Sequence, residues 1–164
     1  MPKTNEFDRL TIEGAVASAV RHRHGQIPRE DSTGIERLIL AYALCIDFGL
    51  IDELLELFSP NGVWDGRDFR YSLCQGTAEM RSFFQRVCGP IIRQTHIIYP
   101  PYLWRDDQSD SVFGLVPFSA AQATEPHKPN GGPHAYGIYQ DHYLRTGGTW
   151  RIQSRVLRLR LVRQ

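Results

Sequence analysis

The sequence is short of the residues and patterns that carry many familiar chemistries. Its 164 residues hold only 3 Cys and 2 Met. Cys45, Cys74 and Cys88 are odd in number, widely spaced and set in or beside apolar segments, which argues against a disulfide framework and predicts reduced, buried thiols in a cytoplasmic protein. No apolar run approaches the ~18 residues of a membrane span, and the N-terminal MPKTNEFDRLTIEG has no apolar core of secretory type. Neither sign of charge dominates: 19 Lys and Arg stand against 18 Asp and Glu, so no bulk electrostatic argument for nucleic acid or membrane follows. There is no Gly-rich phosphate loop between a strand and a helix, no HExxH and no CxxC, so no cofactor is expected. His22 and His24 lie close together, but without a third or fourth ligand at useful spacing they are not read as a metal site.

What is present begins with IERLILAYALCIDFGLIDELLELFSPNGVW, residues 35 to 64. Ile35, Leu38, Ile39, Tyr42, Cys45 and Ile46 recur at helical spacing, and after Asp47 and Gly49 a second helical run carries Leu50, Leu54, Leu55, Leu57 and Phe58. Two helices joined by a tight turn are predicted, with Asp47 at the joint. Five positions separate Tyr42 from Asp47, about 140° around a helix, so the helix is expected to end or unwind near Asp47 if both are to face one cavity. Ser59-Pro60-Asn61-Gly62 is a dense turn signal. Val63-Trp64 opens a short strand, and a third helix is expected from an N-cap at Thr77 to Gly89-Pro90.

Upstream, Phe7 to Val20 predicts a short helix and RHRHGQIPREDSTG a connector. The chain is accordingly divided into an arm, 1–33, which packs on the domain or on a neighbouring subunit, and a domain, 34–164. Downstream the period changes to two: Thr95–Tyr99, Tyr102–Arg105, Val112–Phe118, Tyr136–Leu144 and Trp150–Leu161 read as strands, with 119–135 as a long connection. In the last of them Arg158 and Arg160 alternate with Leu157, Leu159 and Leu161, which reads as one solvated face or a subunit contact. Helices followed by antiparallel strands define an α+β domain, with about three helices covering one face of a strongly curved sheet and enclosing a pocket. Tyr42, Trp64, Phe118 and Tyr139 sit on segments expected to point into it.

Three features carry a resemblance: Tyr42 with Asp47 at a helix end, Thr95-His96 opening the first long strand, and GIYQDHYLRTGGTWRIQSR near the C-terminus. Together they resemble the SnoaL-like branch of the NTF2-like superfamily, in particular the group of scytalone dehydratase, bile-acid 7α-dehydratase and hexachlorocyclohexane dehydrochlorinase. The resemblance implies an α+β cone that forms homodimers or homotrimers. It also implies an Asp47/His96 dyad, 96 minus 47 or 49 positions apart, with Tyr42 as a third catalytic residue and Arg155 as the closing arginine of Trp-Arg-Ile-x-x-x-Arg. At Phe118 the chain lacks the polar residue of the bile-acid enzyme, which leaves the acid for the leaving group unassigned.

The residues argue the same chemistry. A neutral imidazole is suited to take a proton at cellular pH, and a carboxylate on its far nitrogen would fix the tautomer and stabilise the imidazolium. His96 would abstract, Asp47 orient, and Tyr42 donate to a carbonyl oxygen or a departing hydroxyl. Arg155, Trp64, Tyr139 and Phe118 are the candidate substrate contacts, with Arg155 either holding negative charge on the substrate or pairing with Asp141. The expected function is a cofactor-independent dehydratase, other lyase or isomerase acting on a hydrophobic, cyclic small molecule. The alternatives are a polyketide cyclase, or a ligand-binding or scaffold protein without turnover, such as the small subunit of a ring-hydroxylating dioxygenase.

Overall fold

The computed structural model describes residues 6–22, 27–88, 93–105, 110–123 and 134–163. His24, Gly89-Pro90 and most of the 119–135 connection fall outside them. A short 3-10 turn (Phe7–Arg9) leads into helix α1 (Ile12–Arg21), whose Thr11 side chain caps the Gly14 N–H. Helix α2 runs from Arg29 to Phe48, so the expected connector stops at Pro28 and part of the arm is helical. Proline tolerates a helix start because its missing N–H would be unpaired there, and Glu30 and Asp31 favour the positive helix end. Gly34 lies inside α2 because the indole of Trp150 presses on it: a Cβ there would lie 3.1 Å from Trp150 Cδ1.

Gly49 ends α2 in the left-handed region (φ 68°), with the Gly49 and Leu50 N–H groups bonded to the carbonyls of Ile46 and Cys45, and α3 (Ile51–Glu56) follows. The turn expected at Ser59–Gly62 is instead a bulge inside strand β1 (Phe58–Asp65). Phe58 pairs with Ile152 and Val63 with Ser154, so five steps on one strand match two on the other. Strand β2 (Leu73–Gln75) returns along β1, and α4 (Gly76–Cys88) begins at Gly76, which places Thr77 inside the helix rather than at its cap.

The remaining strands are β3 (Arg93–Ile98), β4 (Tyr102–Arg105), β5 (Val112–Ala123), β6 (His134–Thr146) and β7 (Thr149–Arg163). They form one seven-stranded sheet in the order β2-β1-β7-β6-β5-β3, with β4 paired to the other half of β5. Among the described strands, only β1 and β7 run parallel. The sheet is curved and unclosed. Alternation gives it two apolar faces. On the inner face Val116, Phe118, Tyr139, Tyr143 and Leu157 meet the helices. On the outer face Trp104, Phe113 and Leu115 are covered by Phe7, Ala15 and Ala19 of the arm. The same arm occupies the face of β7 that was expected to be solvated: Arg158 donates to the carbonyls of Asp8 and Leu10, and Ser154 Oγ donates to Asp8 Oδ1 at 2.6 Å.

Candidate active site

Strand β3 alternates strictly, with Gln94, His96 and Ile98 half-buried and Arg93, Thr95 and Ile97 exposed. The C-terminal end of α2 abuts its inner side. Asp47 there accepts twice from one residue: its Oδ2 lies 2.8 Å from the His96 backbone N and its Oδ1 2.6 Å from His96 Nδ1. Gln94 repeats the tie two residues earlier, donating from Nε2 to the Ile46 carbonyl at the helix end, which also receives the Gly49 N–H. The two dyad side chains are 11% and 12% exposed. With Nδ1 engaged, Nε2 is the His96 nitrogen left to an occupant of the cavity.

That cavity has a volume of about 440 Å³, within the range of small-molecule sites. His96, Tyr42, Trp64, Phe118 and Tyr139 all line it, beside Ile46, Phe83 and Phe84 from the helices. Asp47 does not, which resolves the expected conflict around α2. The helix stays regular to Phe48, Tyr42 faces the cavity, and Asp47 on another side of the helix reaches it only through His96. No unwinding is needed.

Tyr42 accepts a hydrogen bond from Trp64 Nε1 at 2.9 Å, which leaves its own O–H proton free for another acceptor. Burial pushes its pKa up to about 12, opposed by the nearby Arg155 charge, so the phenol keeps its proton across the ordinary pH range. Phe118 stacks on Tyr139 with ring centroids 4.0 Å apart, and burial likewise raises Tyr139 well above the usual tyrosine pKa.

Arg155 is brought to the site but not into the cavity. It is fully buried, and its Nε and Nη2 grip Asp141 at 2.9 and 2.7 Å, the second of the two roles anticipated for it. Its flat faces lie 4.0 Å from the Tyr42 ring centroid and 4.1 Å from that of Tyr139. Burial works against its charge, but Asp141 more than offsets this and holds its pKa above the ordinary arginine value. The ion pair is thus the platform on which two wall tyrosines rest.

The lining also holds polar residues outside the set picked from sequence, among them Gln94 and Gln122, paired across β3 and β5, and Arg70. Gln94 was detectable, being two positions from His96 on an alternating strand. Arg70 sits in a loop with no period to mark it.

A curved, open mixed sheet with helices over its inner face and a pocket at its mouth defines an NTF2-like α+β cone. Within that class the chain belongs to the SnoaL-like domain family, whose pattern matches residues 28–156. Solved structures agree on the fold. A candidate scytalone dehydratase from Novosphingobium aromaticivorans is 18% identical over 81% of this chain and 86% of its own, with a TM-score of 0.69. A type 2 hexachlorocyclohexane dehydrochlorinase is 14% identical over 82% and 88%, with a TM-score of 0.70. The β subunit of a candidate aromatic-ring-hydroxylating dioxygenase from Novosphingobium aromaticivorans is 18% identical over 82% and 92%, with a TM-score of 0.66. No curated protein matches the sequence. Among the described residues no helix is long and apolar enough to cross a membrane.

Proposed function

We propose that this protein is a cofactor-independent lyase of the dehydratase type, or an isomerase, acting on a hydrophobic cyclic molecule by proton abstraction at His96. The observation that carries this reading is an imidazole lining an apolar cavity while its Nδ1 lies 2.6 Å from a carboxylate that is itself outside the cavity. In the reaction, Nε2 takes a proton from a carbon acidified by an adjacent carbonyl, and Asp47 stabilises the imidazolium. The electron pair of the broken C–H bond forms a double bond to the carbonyl carbon, and the carbonyl π pair moves onto its oxygen to give an enolate. In an elimination the carbonyl re-forms, the enolate double bond shifts to the next carbon, and the C–O bond there breaks as the Tyr42 hydroxyl supplies the proton that lets the oxygen leave as water. His96 afterwards returns its proton to the tyrosine through solvent. In an isomerisation no bond to oxygen breaks. Tyr42 hydrogen-bonds the enolate oxygen, and His96 delivers its proton to a different carbon. The aromatic walls select flat, apolar substrates. By the same reading the molecule is a homo-oligomer whose SnoaL-like domain carries the N-terminal arm packed on the outer face of its sheet.

A second reading, binding without turnover, rests on the cavity alone and is supported by the likeness to a dioxygenase β subunit. The two separate experimentally. With an enolisable cyclic ketone such as 2-tetralone in deuterated buffer, the protein should accelerate exchange at the carbons flanking the carbonyl. His96→Ala and Asp47→Asn should each lower that acceleration by ~10²-fold or more with the fold intact. Exchange at the wild-type rate in both variants would leave only the binding reading.

A further inference from the structure

One charge at the cavity mouth has no close partner among the described residues. Among its lining residues the side chains of fixed charge are Asp68 and Arg70, both in the segment between β1 and β2. The surrounding charges are paired. Arg67 holds Asp65 through two nitrogens, at 2.9 and 2.7 Å, and Asp68 lies 3.9 Å from Arg158 Nη1. Arg70 is exposed and has no acidic partner among the described residues.

Its backbone is also held in an unusual place. Arg70 has φ 62°, the only positive φ outside glycine among the described residues. The left-handed region disfavours a bulky side chain, so its surroundings must enforce it. They do so through a closed set of backbone bonds: Arg70 N–H to the Arg67 carbonyl, Tyr71 N–H to Gly66, and Gly66 N–H to Ser72. Gly66 is kept open by the Trp64 indole, which a Cβ would approach to 2.4 Å. The Trp64 that donates to Tyr42 inside the cavity therefore also shapes the loop that presents Arg70 at its rim. The guanidinium has five donors and no acceptor, so its natural partner is an anion.

We infer that Arg70 recognises a single anionic group, a carboxylate or its equivalent, on a ligand whose apolar ring system fills the cavity beside His96. This rests on the site proposed above and narrows its substrate class to amphipathic ring acids. The apolar walls take the rings, and the charge stays at the solvent edge, where it need not be desolvated.

A matched pair of fluorescent probes tests it: 1-anilinonaphthalene-8-sulfonate, and N-phenyl-1-naphthylamine, which has the same rings without the sulfonate. Arg70→Asn removes the guanidinium while keeping a residue that accepts the left-handed backbone. It should weaken sulfonate binding about fivefold to tenfold, leave N-phenyl-1-naphthylamine unchanged, and abolish the salt dependence that distinguishes the two probes in the wild type. Equal losses for both probes, or none for either, would overturn the inference. His96→Ala should keep the wild-type discrimination. Failure of the exchange experiment therefore removes the chemistry without touching Arg70, and failure here removes the charge recognition without touching His96.

Discussion

At the scale of single residues, the imidazole proposed to react is distinct from the groups that hold it. Tyr42 shows how burial sets a role. Its phenol is raised from the usual 10 to about 12 by desolvation, so folding favours the neutral form. A group raised in the folded state contributes stability that is fully present below the unfolded value and is lost as pH rises through the folded one. Stability should therefore hold up to about pH 10 and fall between about pH 10 and pH 12. Urea midpoints measured across that range should drop more steeply for the wild type than for Tyr42→Phe. Superimposable profiles would show that Tyr42 is not the buried phenol described. Asp47 at a helix end and His96 on an alternating strand each leave a local mark in the sequence, but their pairing was implied by the family resemblance and not by those marks. Asp141 was named as a partner for Arg155, but which of its two roles Arg155 takes was not legible. Counting back from the Gly147-Gly148 turn, where Thr146 faces Thr149, puts Asp141 opposite Ser154. A one-residue irregularity at His142/Tyr143 moves the register, and Asp141 meets Arg155 instead. No composition signal marks that slip, although it decides whether the arginine is free for a ligand.

At the scale of elements, the strands behave as the period-two pattern predicts, and the departures come where glycine and proline do more than turn the chain. Proline and glycine at Ser59–Gly62 read as a terminator, yet the pairing of β1 with β7 resumes beyond them, because a bulge absorbs the extra residues without breaking the ladder. Gly137 on β6 is the counterpart inside the site. A Cβ there would lie 2.7 Å from the Phe118 ring and 2.9 Å from the Arg158 carbonyl, the second of which cannot yield. Gly137→Ala should lower stability by about 1–3 kcal/mol. Because Phe118 stacks on Tyr139, the same change should weaken N-phenyl-1-naphthylamine binding. Chemical denaturation together with probe titration checks both, and an alanine variant as stable as the wild type would refute the close packing.

At the scale of the whole molecule, fold class followed from order alone: three helical segments and then a run of strands leave little besides a sheet covered on one face. The cover on the other face was less legible. The arm is short and only moderately apolar, and the family pattern begins at residue 28, beyond the part of it that packs on the sheet. Its Phe7 nonetheless packs edge-on to Trp104 and against Phe113, and its backbone carbonyls receive Arg158. Phe7→Ala should lower stability by about 3 kcal/mol, read as a reduced urea midpoint. The affinity of the inner cavity for N-phenyl-1-naphthylamine should stay unchanged, since the two faces are separated by the thickness of the sheet. A loss of cavity binding would mean that the arm also supports the inner wall.

One carboxylate grips both the peptide N–H and the ring of the same histidine. An imidazole fastened at two points is held to one orientation. In the proposed reaction it would reach a flat guest from a single side, and of two mirror-related hydrogens on a methylene it would meet only one. The choice between them would then be a property of how a helix end is fastened to a strand, settled before any guest arrives.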